Sequence, residues 1–494
     1  RIDKITRADR FETYVNSITH VFDPHTDFYN PKEKEDFDIN MSGRLEGIGA
    51  RLQTDGDLTK VVDIIPGGPA WKQKDLEVGD KISAVRQGDS EEIEDITGMR
   101  IDEVVKRIRG KKGTFVTLTV LKKDGTQEDI TIERDEVIID EGFAKSMLLE
   151  HESIEDPVGY IYLPRFYSNF NSKDGPKASD DVKKELEKLK AENVGGIILD
   201  IRNNGGGALH EVVDMAGLFV EEGPIVQVKS RKGQPYIHRD KDVSVTYDGP
   251  LVVMVNSNSA SASEILAAAL QDYERAVIVG SSSTFGKGTV QRFYDLDRAV
   301  KGASDMKPLG QVKITTQKYY RIDGGSVQLK GVVPDVVLPD NYMYIKTGEK
   351  DYDYAMEWTQ ITPIDHAQNV FKVDNVETLR AKSEERVAGN PVFSKVEENA
   401  ARIKTLREGT SYPMELDTYR TYIKERKAEA EKYEDLYVPL ESITLSNLEV
   451  DMDYINTDSS RIARNDRWKE NLQKDFYLEE ALMVLSDLQS EIKP

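Results

Sequence analysis

Cysteine is absent from the chain's 494 residues. Its absence rules out disulfides, thiol nucleophiles and cysteine-based metal sites, and it suits an oxidising compartment. Histidine is scarce: there are six, scattered, with no HExxH or other metal-ligand spacing. No apolar run approaches the ~18 residues of a membrane helix. Positive charge is in deficit. Lys and Arg number 67 against 89 Asp and Glu, a net charge of −22, which argues against nucleic acid as a partner. The chain opens on Arg1 rather than Met, so a targeting segment is expected to have been removed or to lie outside it. What remains is 38% hydrophobic and 32% charged, the composition of a soluble, globular chain of two to four domains.

The densest chemistry lies between Asn256 and Gln291. The apolar run Leu251-Val252-Val253-Met254-Val255 has strand length. A polar turn follows, and Ser261-Ala262-Ser263-Glu264 then opens a helical pattern with Ile265, Leu266, Ala269 and Leu270 on one face. After a second apolar run, Ala276 to Val279, a Ser- and Gly-rich loop ends in Phe285-Gly286-Lys287-Gly288. A serine hydroxyl is a weak nucleophile until a base takes its proton. A lysine is such a base once burial lowers its pKa. Helix-start N–H groups favour a developing oxyanion. On spacing alone the plainer reading is favoured, a Ser-rich cap and a lysine on a solvated loop, because both residue types are common and mostly exposed.

The stretch resembles the active-site core of the carboxyl-terminal processing, or tail-specific, serine proteases of peptidase family S41. The resemblance makes Ser261 the nucleophile, Lys287 the general base and Gln291 the residue that positions the lysine. The loop Ser281-Ser282-Ser283-Thr284 is one residue longer than the family pattern. Ser259 and Ser263 compete with Ser261, and local physics does not separate the three. Upstream, the apolar run Gly196 to Leu199 leads into Asp200-Ile201-Arg202-Asn203-Asn204-Gly205-Gly206-Gly207. No Lys-Ser/Thr follows the glycines and the spacing is not GxGxxG, so a phosphate loop does not fit. A glycine loop also brings N–H groups close to a reacting carbonyl. The family places its oxyanion site here, which implies Gly205 or Gly206 with the Ala262 N–H. Asp200 and Arg202 read as a structural pair, Glu264 as a cap acid and Asp272 as a surface acid.

Residues 1–42 read as an N-terminal helical segment with the stripe Phe11, Val15, Ile18 and Phe22, closed by Asp23-Pro24-His25-Thr26-Asp27. That phrase reads as a turn linking a helix to the next domain, and the family carries it without a catalytic role. Residues 43–134 resemble a PDZ domain. The order is Gly-Gly-Pro-Ala (67–70), then Val-Gly-Asp-Lys-Ile (78–82), then a helix from Asp102 to Arg109 and the alternating strand Val116 to Val120. Such domains capture a peptide as an added strand and hold its terminal carboxylate on loop N–H groups. The resemblance assigns that loop to Leu45, Glu46, Gly47, Ile48 and Gly49.

Residues 135–345 are expected to form the protease core, an α/β fold with a crotonase/Clp-like ββα spiral, and 346–494 a C-terminal helical domain. In the latter, Tyr419 to Tyr433 and Tyr477 to Ile492 read as charged helices with solvated faces. The resemblance implies a periplasmic endopeptidase. It would recognise the C-termini of unfolded or tagged proteins, with no metal, nucleotide or other cofactor and with room for an adaptor protein. Two other classes compete: a catalytically silent PDZ scaffold, and another Ser–Lys hydrolase. The presence of Ser261, Lys287 and Gln291 counts against the first. The lack of Ser-x-x-Lys and Lys-Thr-Gly phrases counts against the second.

Overall fold

The structure is a computed structural model and describes residues 5–492 apart from 43, 139–141, 169–174, 303 and 458. Gly43, the expected start of the second segment, therefore lies outside the described residues. The chain forms two compact units. One is built mainly from residues 32–142, the other from 13–31, 143–452 and 466–494.

In the first unit a sheet runs in the order Ala50–Asp55, Leu58–Ile64, Lys81–Gln87, Phe115–Leu121, Gln127–Glu133. Val61, Ile82, Val116, Leu118, Ile130 and Ile132 point inward and pack with Val104 and Ile108 of the helix Ile101–Ile108. Strand Ala50–Asp55 is an edge, and the helix lies beside it. Leu45, Glu46 and Gly47 pair antiparallel with Val137, Glu136 and Asp135. Ile48 and Gly49 then turn the chain into the edge strand, and Gly49 does so at φ +75°, a conformation that favours glycine.

The second unit is organised by a seven-stranded sheet. Its central strands Val158–Tyr162, Gly196–Asp200, Leu251–Val255 and Val277–Gly280 are parallel neighbours. They are almost wholly apolar because both faces are covered. Ile197, Leu199, Leu251, Val253 and Ile278 face the helices Ala178–Ala191, Leu209–Ala216 and Ala262–Asp272. Ile198, Val252, Met254, Val277 and Val279 face the C-terminal helices Val376–Gly389, Pro391–Glu408 and Phe476–Ile492.

That second face corrects the reading of the last helix. Phe476–Ile492 is not chiefly a solvated element, because Leu478, Ala481, Leu482, Val484, Leu485 and Leu488 are buried under the sheet. Of its charges, Glu480 is buried as well, paired with Arg386 of the helix Val376–Gly389 at 2.7 Å, and Asp487 binds the same guanidinium at 2.6 Å. The helix Leu416–Glu431 does behave as expected and buries no residue. Helix Arg7–Thr19 carries the N-terminal stripe, yet Phe11 and Ile18 stay exposed. A second, antiparallel sheet uses the long strand Gln311–Tyr320 as its hub. Strand Thr289–Asp295 pairs with it, and so do Gly223–Ser230 and the short Asp27–Tyr29.

Candidate active site

Three loops leave the C-terminal ends of neighbouring parallel strands: Ile201–Ala208, Asn256–Ser261 and Ser281–Gly288. In open α/β sheets that end is where ligands bind. The middle loop makes a sharp strand-to-helix corner. Ser261 caps the helix Ala262–Asp272 at φ +56° and ψ −110°, a strained conformation for a residue with a side chain.

The corner separates the three serines. Ser259 is fully buried and its hydroxyl donates to Ile201 O at 2.8 Å. Ser263 is fully buried and donates to Asn204 O at 2.7 Å. Ser261 alone of the three is partly exposed.

Two groups clasp the serine corner to the lysine loop. The Glu264 carboxylate, fully buried, accepts the N–H groups of Ser261 at 2.8 Å and Lys287 at 2.9 Å on the same oxygen. Its other oxygen accepts the Thr284 hydroxyl at 2.7 Å and the Gly286 N–H at 2.6 Å. On the carbonyl side, the single proton of the Tyr319 hydroxyl is shared between Lys287 O at 2.5 Å and, as the weaker arm, Ser261 O at 3.2 Å. Burial pushes Glu264 up to about 7 against the pull of those four donors. Glu264 is thus a cap acid, as read, and also the tie between two distant loops. The reach to residue 287 and the role of Tyr319 were not visible in the sequence. The only sign of Tyr319 is the aromatic pair that ends the strand Gln311–Tyr320.

Lys287 makes no ion pair among the described residues. Burial is the main force on it and the Lys313 ammonium adds to it. Together they bring it down to about 8 against the opposing charges of Glu349, Glu264 and Asp27. Gly288 beside it has no room for a side chain, since a Cβ would meet Ser326 Oγ at 2.7 Å and Gln328 N at 2.8 Å. Gln291 lies on the strand Thr289–Asp295, and its amide nitrogen donates to Thr289 Oγ1 at 2.9 Å and Thr315 Oγ1 at 3.0 Å.

The glycine loop presses against the corner. A Cβ on Gly206 would sit 2.8 Å from both Ala260 O and Ser261 Cβ, at φ +100°. The Gly206 N–H is already taken by Asn204 Oδ1 at 2.9 Å. The exposed glycines on either side, Gly205 and Gly207, have N–H groups without an acceptor among the described residues. Ala262 opens the helix, so its N–H has no intrahelical acceptor. Asp200 and Arg202 form the expected pair at 2.6 Å, and Arg202 also binds Asp475 at 2.6 Å. Asp272 departs from expectation. It is only 8% exposed and paired with Arg321, the residue just past the strand Gln311–Tyr320, at 2.6 Å.

Residues 157–338 match the family described as peptidase family S41, residues 36–121 the PDZ domain, and residues 342–490 the C-terminal domain of tail specific protease. A probable CtpA-like serine protease of Staphylococcus epidermidis is 31% identical over 408 residues, covering 78% of this chain and 75% of that protein. The carboxy-terminal-processing protease of Bartonella bacilliformis is 32% identical over 352 residues, 70% of this chain and 72% of that protein. The chain belongs to the carboxyl-terminal processing proteases of peptidase family S41. The tail-specific protease of Haemophilus influenzae is 39% identical over 404 residues, 80% of this chain but only 55% of that protein. The chain therefore spans about half the length of that relative. Within this S41 chain the paired strands and loops above belong to the peptidase segment. The edge strand beside the helix Ile101–Ile108 belongs to the PDZ segment. Among the described residues no helix is long and apolar enough to cross a membrane.

Proposed function

We propose that this S41 protein is a tail-specific serine endopeptidase with a Ser261–Lys287 dyad. The observation that carries the reading is the double clasp. One carboxylate oxygen of Glu264 holds the N–H of both residues, and one hydroxyl, that of Tyr319, holds both carbonyls. An arrangement that needs Ser261 strained and Lys287 buried has no structural use that a solvated loop would not serve more cheaply.

In the proposed reaction Lys287 Nζ, in its neutral form, takes the proton of Ser261 Oγ. The Oγ attacks the substrate carbonyl carbon. The oxyanion is held by the Ala262 N–H and by a glycine N–H of the adjoining loop, with Gly205 and Gly207 the unclaimed donors. Lys287 then passes its proton to the leaving amine, and water releases the acyl group by the same route in reverse. Gln291 commits its amide nitrogen to two threonines; in the proposed reaction its carbonyl oxygen, an acceptor only, would hold the Lys287 ammonium.

The PDZ unit supplies substrate choice. An added strand on Ala50–Asp55, with its terminal carboxylate at Leu45–Gly49, would select free, apolar C-termini of unfolded or tagged proteins. Without an ATP-driven step, such a protease acts on chains already unfolded. The cysteine-free composition fits work in the periplasm, where an adaptor protein has access.

The test is cleavage of an unfolded reporter with an apolar tail. The intact chain should cut it, Ser261→Ala and Lys287→Ala should not, and amidating the tail or ending it in Asp should slow the cut. Cleavage by Ser261→Ala would move the nucleophile elsewhere.

A further inference from the structure

The loop Asp23-Pro24-His25-Thr26-Asp27 lies against the strand Gln311–Tyr320, which pairs with the strand Thr289–Asp295 that follows the candidate base. We propose that it is a positioning clamp for Lys287, reaching the lysine through Gln291, through the Gly288 amide and through Lys313. This rests on the Ser261–Lys287 reading and adds residues to it.

Three chains of contacts start in five consecutive residues. The first begins at Asp23, which is buried. Its Oδ1 accepts the Thr315 hydroxyl at 2.8 Å, and Thr315 Oγ1 in turn accepts the Gln291 amide at 3.0 Å. The loop itself is fixed at this end, since Asp23 also accepts the His25 N–H at 2.9 Å and the Thr26 hydroxyl at 2.5 Å. The Thr315 N–H donates to Thr26 Oγ1 at 3.2 Å.

The second chain begins at His25. Its Nε2 lies 2.7 Å from Glu349 Oε2, and Glu349 is buried. Glu349 Oε1 accepts the Gln328 amide at 2.9 Å, and Gln328 Oε1 accepts the Gly288 N–H at 2.8 Å. That amide is the one directly after Lys287.

The third begins at Asp27, 2.8 Å from Lys313 Nζ and 2.6 Å from His20 Nε2. Asp27 pairs in register with Lys313. The Lys313 ammonium also donates to Tyr29 OH at 2.9 Å. Lys313 is the neighbouring cation that works against a proton on Lys287, and Asp27 offsets it. The charged groups acting on Lys287 are Lys313, Glu349, Glu264 and Asp27, with His25 behind Glu349, His20 behind Asp27 and the Tyr319 hydroxyl at the lysine carbonyl.

A turn that only linked a helix to the next domain would need none of these contacts. Here a histidine, two carboxylates and a threonine all end on residues one or two bonds from the lysine's supports. Such supports matter because misplacing a catalytic group by ~1 Å costs ~100-fold in rate.

The experiment uses the full chain and the unfolded apolar-tail reporter, with kcat, KM, pH profile and unfolding midpoint measured for each variant. Thr315→Val and His25→Ala should lower kcat ~10–100-fold with KM and midpoint little changed. Thr315→Ser and His25→Gln, which keep the donors, should restore most of it. Asp27→Asn leaves Lys313 unneutralised and should move the rising limb of the pH profile to lower pH. Unchanged kcat in Thr315→Val and His25→Ala would overturn the clamp, provided Lys287→Ala is inactive. Losses that track a lowered midpoint and are not restored by Ser or Gln would also overturn it, reducing the loop to scaffolding. Activity in Lys287→Ala would instead refute the dyad on which the clamp rests.

Discussion

Lys287→Met should stabilise the protein at neutral pH while abolishing cleavage. A free lysine titrates near 10.5, and burial brings Lys287 down to about 8. That gap corresponds to ~3 kcal/mol carried by the folded state. The sign follows from which state holds the proton. Below pH 8 both folded and unfolded chains carry the charge, and the folded chain bears the full cost of burying it. Between about 8 and 10.5 the folded lysine has lost its proton while the unfolded one keeps it, so stability rises with pH. Above 10.5 both are neutral and the cost is gone. Methionine has a similar length and no charge, so the variant escapes the cost and also frees Lys313 from a like-charged neighbour. We expect it to be more stable by ~1–3 kcal/mol at pH 7, with the advantage fading toward pH 10.5. Guanidinium unfolding followed by tryptophan fluorescence measures this. Trp358, whose indole N–H donates to Ser326 O at 2.6 Å, reports on the unit that holds the lysine. A variant no more stable than the parent at pH 7, or a difference that stays constant to pH 10.5, would refute the reasoning.

Three further outcomes are expected. The kcat/KM for an unfolded reporter should rise as pH climbs through about 8, the value to which burial brings Lys287, because only the neutral amine accepts the serine proton. A profile flat from pH 6 to 9.5 would count against lysine as the base. Gly206→Ala should cut cleavage at least ~100-fold and lower the unfolding midpoint, because the new methyl would lie 2.8 Å from Ser261 Cβ at φ +100°; wild-type rates in this variant would show that the loop does not abut the reacting centre. A fluorescent peptide with a free apolar C-terminus should bind the protein by anisotropy and its amidated twin should bind at least ~10-fold more weakly; equal binding of the two would remove the carboxylate loop from the account.

Much of the site could be read from residues close together in the chain. The strand Leu251–Val255, the corner and the helix from Ala262 follow from a purely apolar run, a polar turn and an acid three residues into the helix. The glycine loop after Asp200 follows in the same way. What stayed hidden depends on contacts across long sequence separations. Glu264 looks like any first-turn acid until its carboxylate is seen to hold residues 284, 286 and 287. Asp272 reads as a surface acid because nothing in its neighbourhood announces Arg321, 49 residues on. The loop at 23–27 reads as a turn, which it is, but its partners Thr315 and Glu349 lie some 300 residues away. The helix Phe476–Ile492 differs from its sequence reading for another reason. Its charges are real, but six apolar residues at helical spacing are enough to seat it beneath the sheet.

The central claim is that Ser261 attacks and Lys287 activates it. The most direct measurement treats the full chain with a fluorophosphonate and locates the adduct by peptide mass spectrometry. The account predicts a single adduct on Ser261, absent from Ser261→Ala and suppressed at least ~100-fold in Lys287→Ala. An adduct on Ser259 or Ser263, or undiminished labelling of Ser261 in Lys287→Ala, would contradict it.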